Sequence, residues 1–141
     1  MYVNRREVTV EWGDCDPAGI VFFPNYLKYF DAATNMLFLS ALGLNKYEMM
    51  HTFGIAGIPL VDVGARFFVP SVFGEVVTIE SRVAEIGRAS FRMEHRLLKG
   101  EVLAVEGFEK RVWTGRDGDD PGRLRSRPIP DEVVAKLRAE G

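Results

Sequence analysis

Between Pro24 and Leu42 the chain carries a helical repeat that is apolar over most of its circumference, and few folds can accommodate such a helix. Tyr26, Leu27, Tyr29, Phe30, Ala32, Ala33, Met36, Leu37, Phe38, Leu39 and Leu42 leave one narrow polar stripe. Asn25, Lys28, Asp31 and Asn35 form it, at spacings of three and four. A helix of this kind is wrapped by other structure rather than laid on a surface. Pro24 suits its first position, where the N–H that proline lacks would be unpaired anyway. Gly43 suits its C-terminal cap. Lys28 and Asp31 interrupt the apolar run and argue against a membrane span.

The rest of the chain supplies the wrapping. Glu7-Val8-Thr9-Val10-Glu11-Trp12 alternates polar and apolar, as a half-buried strand does. Residues 45 to 53 predict a short second helix capped by Asn45. Val61, Val63, Ala65, Phe67 and Val69 then alternate, as do Val77, Ile79, Ser81 and Val83 after the Phe73-Gly74 turn. Phe91, Met93, His95 and Leu97 repeat the pattern before a hairpin turn at Lys99-Gly100. Residues 102 to 113 predict a long last strand with a bulge near Gly107, where its alternation slips. Residues 116 to 122, rich in Gly and Asp, predict a mobile loop, and residues 130 to 140 a short terminal helix. With no repeat or linker, one domain over residues 1–141 is expected. Strand, long helix and four strands imply an α+β fold, an antiparallel sheet wrapped around one long central helix.

Composition narrows the function. A hydrophobic fraction of 47% and a charged fraction of 27% are those of an ordinary globular protein. The net charge of −2 points to neither nucleic acid nor an anionic membrane. Cys15 is the one cysteine, so no internal disulfide forms and a reducing compartment is expected. No apolar run follows Arg5-Arg6, so no signal peptide is expected and a cytoplasmic location is. No spacing of His, Cys and Asp suggests a metal site, and no cofactor is called for.

Immediately before the helix, Gly13-Asp14-Cys15-Asp16-Pro17-Ala18-Gly19 puts two carboxylates in a tight turn. A carboxylate beside a helix N-terminus can attack, or activate water against, a carbonyl whose oxygen is held by free N–H groups of that helix. Acyl transfer then needs no histidine, serine or metal. The plainer account is that Asp14 and Asp16 are turn formers beside Pro17. Cys15, flanked by acids, should have a raised pKa and is not read as a nucleophile. His51 and His95 lie far from the turn in sequence, and His95 shares an apolar strand face, as a satisfied core histidine does.

The run Gly13-Asp14-Cys15-Asp16-Pro17-Ala18-Gly19-Ile20-Val21, with Pro24-Asn25-Tyr26 and Asp31-Ala32-Ala33, closely resembles the 4-hydroxybenzoyl-CoA thioesterase family of the hot-dog fold. The likeness is to the branch with a catalytic aspartate in the loop before the central helix. Looser similarity continues through Gly54-Ile55, Pro59, Ser90-Phe91, His95 and Arg123-Leu124-Arg125. The resemblance implies hydrolysis of an aromatic acyl-CoA, with Asp16 as nucleophile or general base. The backbone N–H of Phe23 would hold the carbonyl oxygen, and Gly19 would leave room for the approaching acyl group. Asp31, Ile58 and Pro24 would line the acyl pocket, Asp31 meeting a ring hydroxyl; the alternative is a surface Asp31 paired with Lys28. Arg88 with Ser90, and Arg123 with Arg125 and Arg127, would bind the CoA phosphates.

Three positions depart from the namesake pattern: Phe23 replaces a tyrosine, Ile58 a threonine and Ala89 a lysine. The pocket is accordingly more apolar, and a different aromatic or a medium aliphatic acyl group is compatible. The turn is also similar to the Gly-Asp-x-Asn-Pro turn of hot-dog enoyl-CoA hydratases. That motif needs a histidine where Gly19 stands, so hydration is not expected. Tol-Pal-associated thioesterases of short or medium aliphatic chains, and a non-catalytic acyl-CoA-binding accessory protein, are the remaining alternatives on this scaffold. Hot-dog domains pair edge strands and share active sites, so a homodimer or homotetramer is expected.

Overall fold

The computed structural model describes residues 1 to 140. Its elements are β1 (Val3–Thr9), α1 (Pro24–Leu42), α2 (Lys46–Phe53), β2 (Leu60–Phe67), β3 (Val76–Ile86), β4 (Ser90–Lys99), β5 (Val102–Val112), β6 (Thr114–Arg116), β7 (Leu124–Ser126) and α3 (Asp131–Arg138). The first five strands form one antiparallel sheet in the order β1-β3-β4-β5-β2. Alternate residues of β3 and β4 turn inward: Val77, Ile79, Ser81, Val83, Phe91, Met93, His95 and Leu97 are all buried. Against them lie Phe30, Ala33, Leu37 and Phe38 of α1. Gly43, at φ 71°, ends α1 by donating its N–H to Leu39 O at 2.9 Å. Asn45 and Glu48 cap α2 reciprocally.

Several expectations shift. The first strand runs from Val3 to Thr9, not 7 to 12. Val10 turns into the core, and Glu11 and Asp14 cap a 3-10 turn at Trp12–Asp14 that leaves Trp12 exposed. The bulge of β5 lies at Ala104, where the partner of Leu97 is Val105 and that of Leu98 is Leu103. Gly107 is in regular register opposite His95; it is glycine because the Phe30 ring occupies the space of a side chain, 2.6 Å from an added Cβ. The segment expected as a loop, 116 to 122, joins two short flanking strands, β6 and β7, which form a two-stranded ribbon connected by residues 117 to 123.

The wrapping of α1 is also one-sided within a single chain. Met36 and Leu39 are exposed, and so are Leu60, Val61, Val63 and Phe67 on the edge strand β2. Among the described residues, no helix is long and apolar enough to cross a membrane.

Candidate active site

The segment before α1 is held at many points. Asp16 accepts the Gly19 N–H at its carbonyl (2.9 Å), donates its own N–H to Ile20 O (2.9 Å) and accepts the Ala18 N–H at Oδ1 (2.8 Å). This is a closed turn with a side-chain brace, and Gly19 at φ 78° takes the left-handed position that closes it. An added Cβ there would meet no protein atom within 4 Å, so within this chain the backbone conformation alone favours the glycine. Gly19 O in turn accepts from Phe73 N at 3.0 Å, which fastens the turn to the chain ahead of β3.

The two carboxylates differ in what they do. Asp14 Oδ2 accepts from Glu11 N (3.0 Å) and from the Tyr29 hydroxyl (2.8 Å). Its carbonyl accepts from Phe22 N (2.9 Å) and Asn25 Nδ2 (2.8 Å). Asp14 is therefore the node that joins turn and helix. Asp16 is half-buried and, among the described residues, its Oδ2 has no partner. Burial and the Asp14 and Asp16 charges push the Cys15 thiol up, which leaves it a poor nucleophile.

At the helix entrance the backbone donors are spoken for, with one exception. Val21 N bonds Ser71 O, Phe22 N bonds Asp14 O, Asn25 N bonds Phe22 O and Tyr26 N bonds Phe23 O, while Pro24 has none to give. Among the described residues, the Phe23 N–H has no acceptor. It sits at the positive end of the 19-residue α1, where negative charge is stabilised.

Asp31 is not paired with Lys28. Its Oδ1 accepts from Arg111 Nη2 at 2.6 Å, while its side chain stays 47% exposed. Arg111 is buried and also donates from Nη1 to Ile58 O at 2.9 Å, so one guanidinium joins two expected pocket residues. It grips Glu109 with Nε at 3.2 Å and Nη2 at 2.9 Å. Glu109 also accepts from the Thr34 hydroxyl and from His95 Nε2 at 3.2 Å, and His95 Nδ1 meets Ser81 Oγ at 2.7 Å. Burial would raise the Glu109 carboxyl, but the hydrogen bonds and charges of His95 and Arg111 prevail and hold it at about 2. The interior of the sheet thus contains a satisfied ionic network ending at Asp31. Sequence reading missed Arg111, Glu109 and Thr34. The available signal was Glu109-x-Arg111, opposite charges two apart on the inward face of an apolar strand.

The expected CoA-binding residues gather elsewhere. Trp113 N bonds Ala89 O (2.7 Å), Arg127 N bonds Trp113 O (2.8 Å) and Ile129 N bonds Arg88 O (2.8 Å), so the Arg88–Ser90 turn adjoins the β6–β7 ribbon. Arg88 and Arg123 are exposed, and Ser90 is half-buried at the start of β4. Arg125 pairs with Asp117 at 3.1 Å across the ribbon. Arg127 is no phosphate ligand candidate: its guanidinium donates to the carbonyls of Gly54 (3.2 Å) and Arg116 (2.9 Å). This cluster lies at the Ile86 end of β3. The Asp16 turn lies at the Val76 end, on the order of 30 Å away along eleven strand residues. One chain brings Asp16, Gly19, Phe23 and Pro24 together, with Asp31 farther along α1 and Ile58 in the loop before β2, but does not bring the arginines to them.

A groove on the opposite face of the sheet contains none of the expected catalytic, acyl-pocket or CoA-binding residues, and ion pairs bridge it: Arg82 and Arg92 with Glu94, and Arg96 with Glu80. Among the described residues, no cluster of His, Cys, Asp and Glu could hold a metal ion.

Comparison with known proteins shows the family and the fold. A family model described as the thioesterase-like superfamily matches residues 10–137. The 4-hydroxybenzoyl-CoA thioesterase of Pseudomonas sp. (strain CBS-3) is 37% identical over 131 residues, covering 89% of this chain and 90% of that protein. A solved structure of a 4-hydroxybenzoyl-CoA thioesterase mutant complexed with 4-hydroxybenzoyl-CoA superposes with a TM-score of 0.87. It is 30% identical, with 96% of this chain and 98% of that one covered. A gentisyl-coenzyme A thioesterase superposes with a TM-score of 0.80 at 32% identity, with 96% and 100% covered.

Proposed function

The chain belongs to the thioesterase-like superfamily, a hot-dog acyl-CoA thioesterase like the 4-hydroxybenzoyl-CoA enzymes it resembles, and from that premise we propose that its substrate is a hydroxylated aromatic acyl-CoA. Asp16 attacks the thioester carbonyl, or takes a proton from the water that does. The CoA thiolate leaves readily, so a carboxylate suffices and no strong acid is needed. As the carbonyl oxygen gains charge, the Phe23 N–H receives it. The observation that carries this reading is that, among the described residues, Asp16 Oδ2 has no partner and the Phe23 N–H at the mouth of α1 has no acceptor. Asp31, Ile58 and Pro24 flank the acyl group, and the apolar Ile58 favours a ring over a polar chain.

CoA then has to reach arginines that one chain holds at the far end of its sheet. A two-fold dimer joined along β2 supplies them. Antiparallel pairing of two β2 edges sets the Phe67 end of one copy beside the Leu60 end of the other, and the Leu60 end adjoins Ser90 and the ribbon. Arg88, Ser90, Arg123 and Arg125 of one copy thereby serve the Asp16 of its partner. With its single thiol the protein suits the reducing cytoplasm.

The test is CoA release from aromatic and graded aliphatic acyl-CoAs by wild type and Asp16→Asn in parallel. Release from hydroxylated aromatic esters, lost in the variant, supports the reading. Preferential release from aliphatic esters overturns the acyl assignment, and undiminished turnover by Asp16→Asn overturns the site.

A further inference from the structure

A buried ion pair can often be replaced by well-packed apolar side chains without loss of stability, so the burial of Arg111 and Glu109 calls for an explanation. Both are almost wholly buried, and the pair is not closed on itself. Arg111 reaches past Glu109 to two groups on different elements: the carboxylate of Asp31 on α1 and the carbonyl of Ile58 in the loop before β2. Its remaining contacts are rigid, because the planar guanidinium meets both oxygens of Glu109, which is itself fixed by Thr34 and His95.

At the outer end of this chain the pattern stops. Asp31 Oδ1 is taken by Arg111, whereas among the described residues Oδ2 has no partner and the side chain remains 47% exposed. A carboxylate with one oxygen anchored to a buried cation and the other facing outward is an oriented acceptor for a single O–H donor. The helix alone would leave Asp31 free to rotate among its rotamers.

We propose that Arg111 is the positioning residue of the acyl pocket. It locks Asp31 and the Ile58 carbonyl into one wall and aims Asp31 Oδ2 at a hydroxyl on the acyl ring. This rests on the reading that Asp31 and Ile58 line the acyl site. Specificity for the hydroxylated ring is thus set from the core of the sheet, by a side chain that never touches substrate. Lysine at 111 keeps the charge but has no planar fork, so it cannot hold Glu109, Asp31 and Ile58 at once.

The experiment compares kcat and KM for 4-hydroxybenzoyl-CoA and benzoyl-CoA in wild type, Asp31→Asn, Arg111→Lys and the charge-balanced double variant Glu109→Gln/Arg111→Gln. The double variant removes the two charges of the buried pair together, and thermal unfolding checks that each protein is folded. Wild type should prefer the hydroxylated ester. Arg111→Lys and the double variant should each lose about tenfold of that preference, one charged hydrogen bond's worth, with the loss in KM for the hydroxylated ester. An equal loss on both esters, or an unchanged preference in folded Arg111→Lys and the double variant, overturns the inference. If Asp31→Asn abolishes the preference and those two do not, Arg111 alone is wrongly assigned. If Asp31→Asn leaves the preference intact, or wild type shows none, the underlying reading of the pocket fails.

Discussion

The Tyr29 hydroxyl donates to Asp14 Oδ2 at 2.8 Å, across fifteen residues, and so ties the second turn of α1 to the segment that carries Asp16. Burial and the Asp14 carboxylate push the Tyr29 phenol up, so it remains a donor throughout the working range. Tyr29→Phe keeps the ring and deletes the bond. It should destabilise the protein by about 1–3 kcal/mol, as loss of a hydrogen bond to a charged group does. Because the segment then loosens, kcat should fall more than KM rises. Thermal unfolding and steady-state kinetics on the same preparation check both.

Asp14 and Asp16 should separate cleanly under the same substitution. In Asp16→Asn the amide oxygen can still accept the Ala18 N–H, so the turn persists and the melting temperature should move little. Turnover should drop by roughly 10²–10⁴, the usual effect of removing a nucleophile or general base. Asp14→Asn weakens bonds from Glu11 N and Tyr29, so its melting temperature should fall visibly. Equal behaviour of the two variants would contradict their division of labour.

The pH dependence of stability should carry the mark of Glu109. Its folded pKa, about 2, lies below the ordinary value of 4.5, so its ionised form stabilises the fold fully above about pH 4.5. That contribution is lost as pH falls from there towards 2. Wild type should therefore lose stability steeply over this interval in denaturant titrations. Glu109→Gln should be less stable at neutral pH and flatter on the acid side. Parallel acid limbs for the two proteins would refute the assignment.

Gly107 offers a test of packing. A Cβ there would lie 2.6 Å from Phe30 Cε2, and Phe30 is stacked on His95 at 4.8 Å with planes 3° apart. The ring has nowhere to retreat, so Gly107→Ala should cost about 1–3 kcal/mol, as overpacking does. At Gly64 a Cβ would lie as close to Phe108, but that ring is only half-buried on the outer face and can swing aside. Gly64→Ala should be the milder change in chemical denaturation.

What could be read from the chain follows from how local the cause is. The span of α1, its proline start and its glycine cap were legible because each rests on neighbours within a few residues. The same is true of the Asn45 cap and the Asp16 turn. The alternation slips at Gly107, which reads from the sequence as a bulge. The glycine marks instead the approach of Phe30, which comes from a helix some eighty residues away in sequence. The role of Arg111 is not legible locally, since its partners Asp31 and Ile58 are distant in sequence. The pairing of Arg125 with Asp117 depended on a ribbon of two three-residue strands, too short for any periodicity to show.

The edge strand decides whether the site is shared. β2 pairs with β5 on one side only, and Val61, Val63 and Phe67 are exposed along it, an open template for another strand. The protein should be a dimer or larger by light scattering at micromolar concentration. Val61→Lys places a charge on that edge, at the irregularity between Leu60 and Asp62 where no β5 residue stands opposite, and should shift the protein towards monomer. If Arg88, Ser90, Arg123 and Arg125 serve the partner's Asp16, the monomer has lost its phosphate contacts but kept Asp16 and the Phe23 N–H. Its kcat/KM for acyl-CoA should then fall by at least tenfold, recovering as protein concentration is raised. A short thioester without the CoA nucleotide should feel the change far less. A monomeric wild type with full activity on acyl-CoA would mean that one chain suffices, and that the arginines at the far end of its sheet take no part in binding CoA.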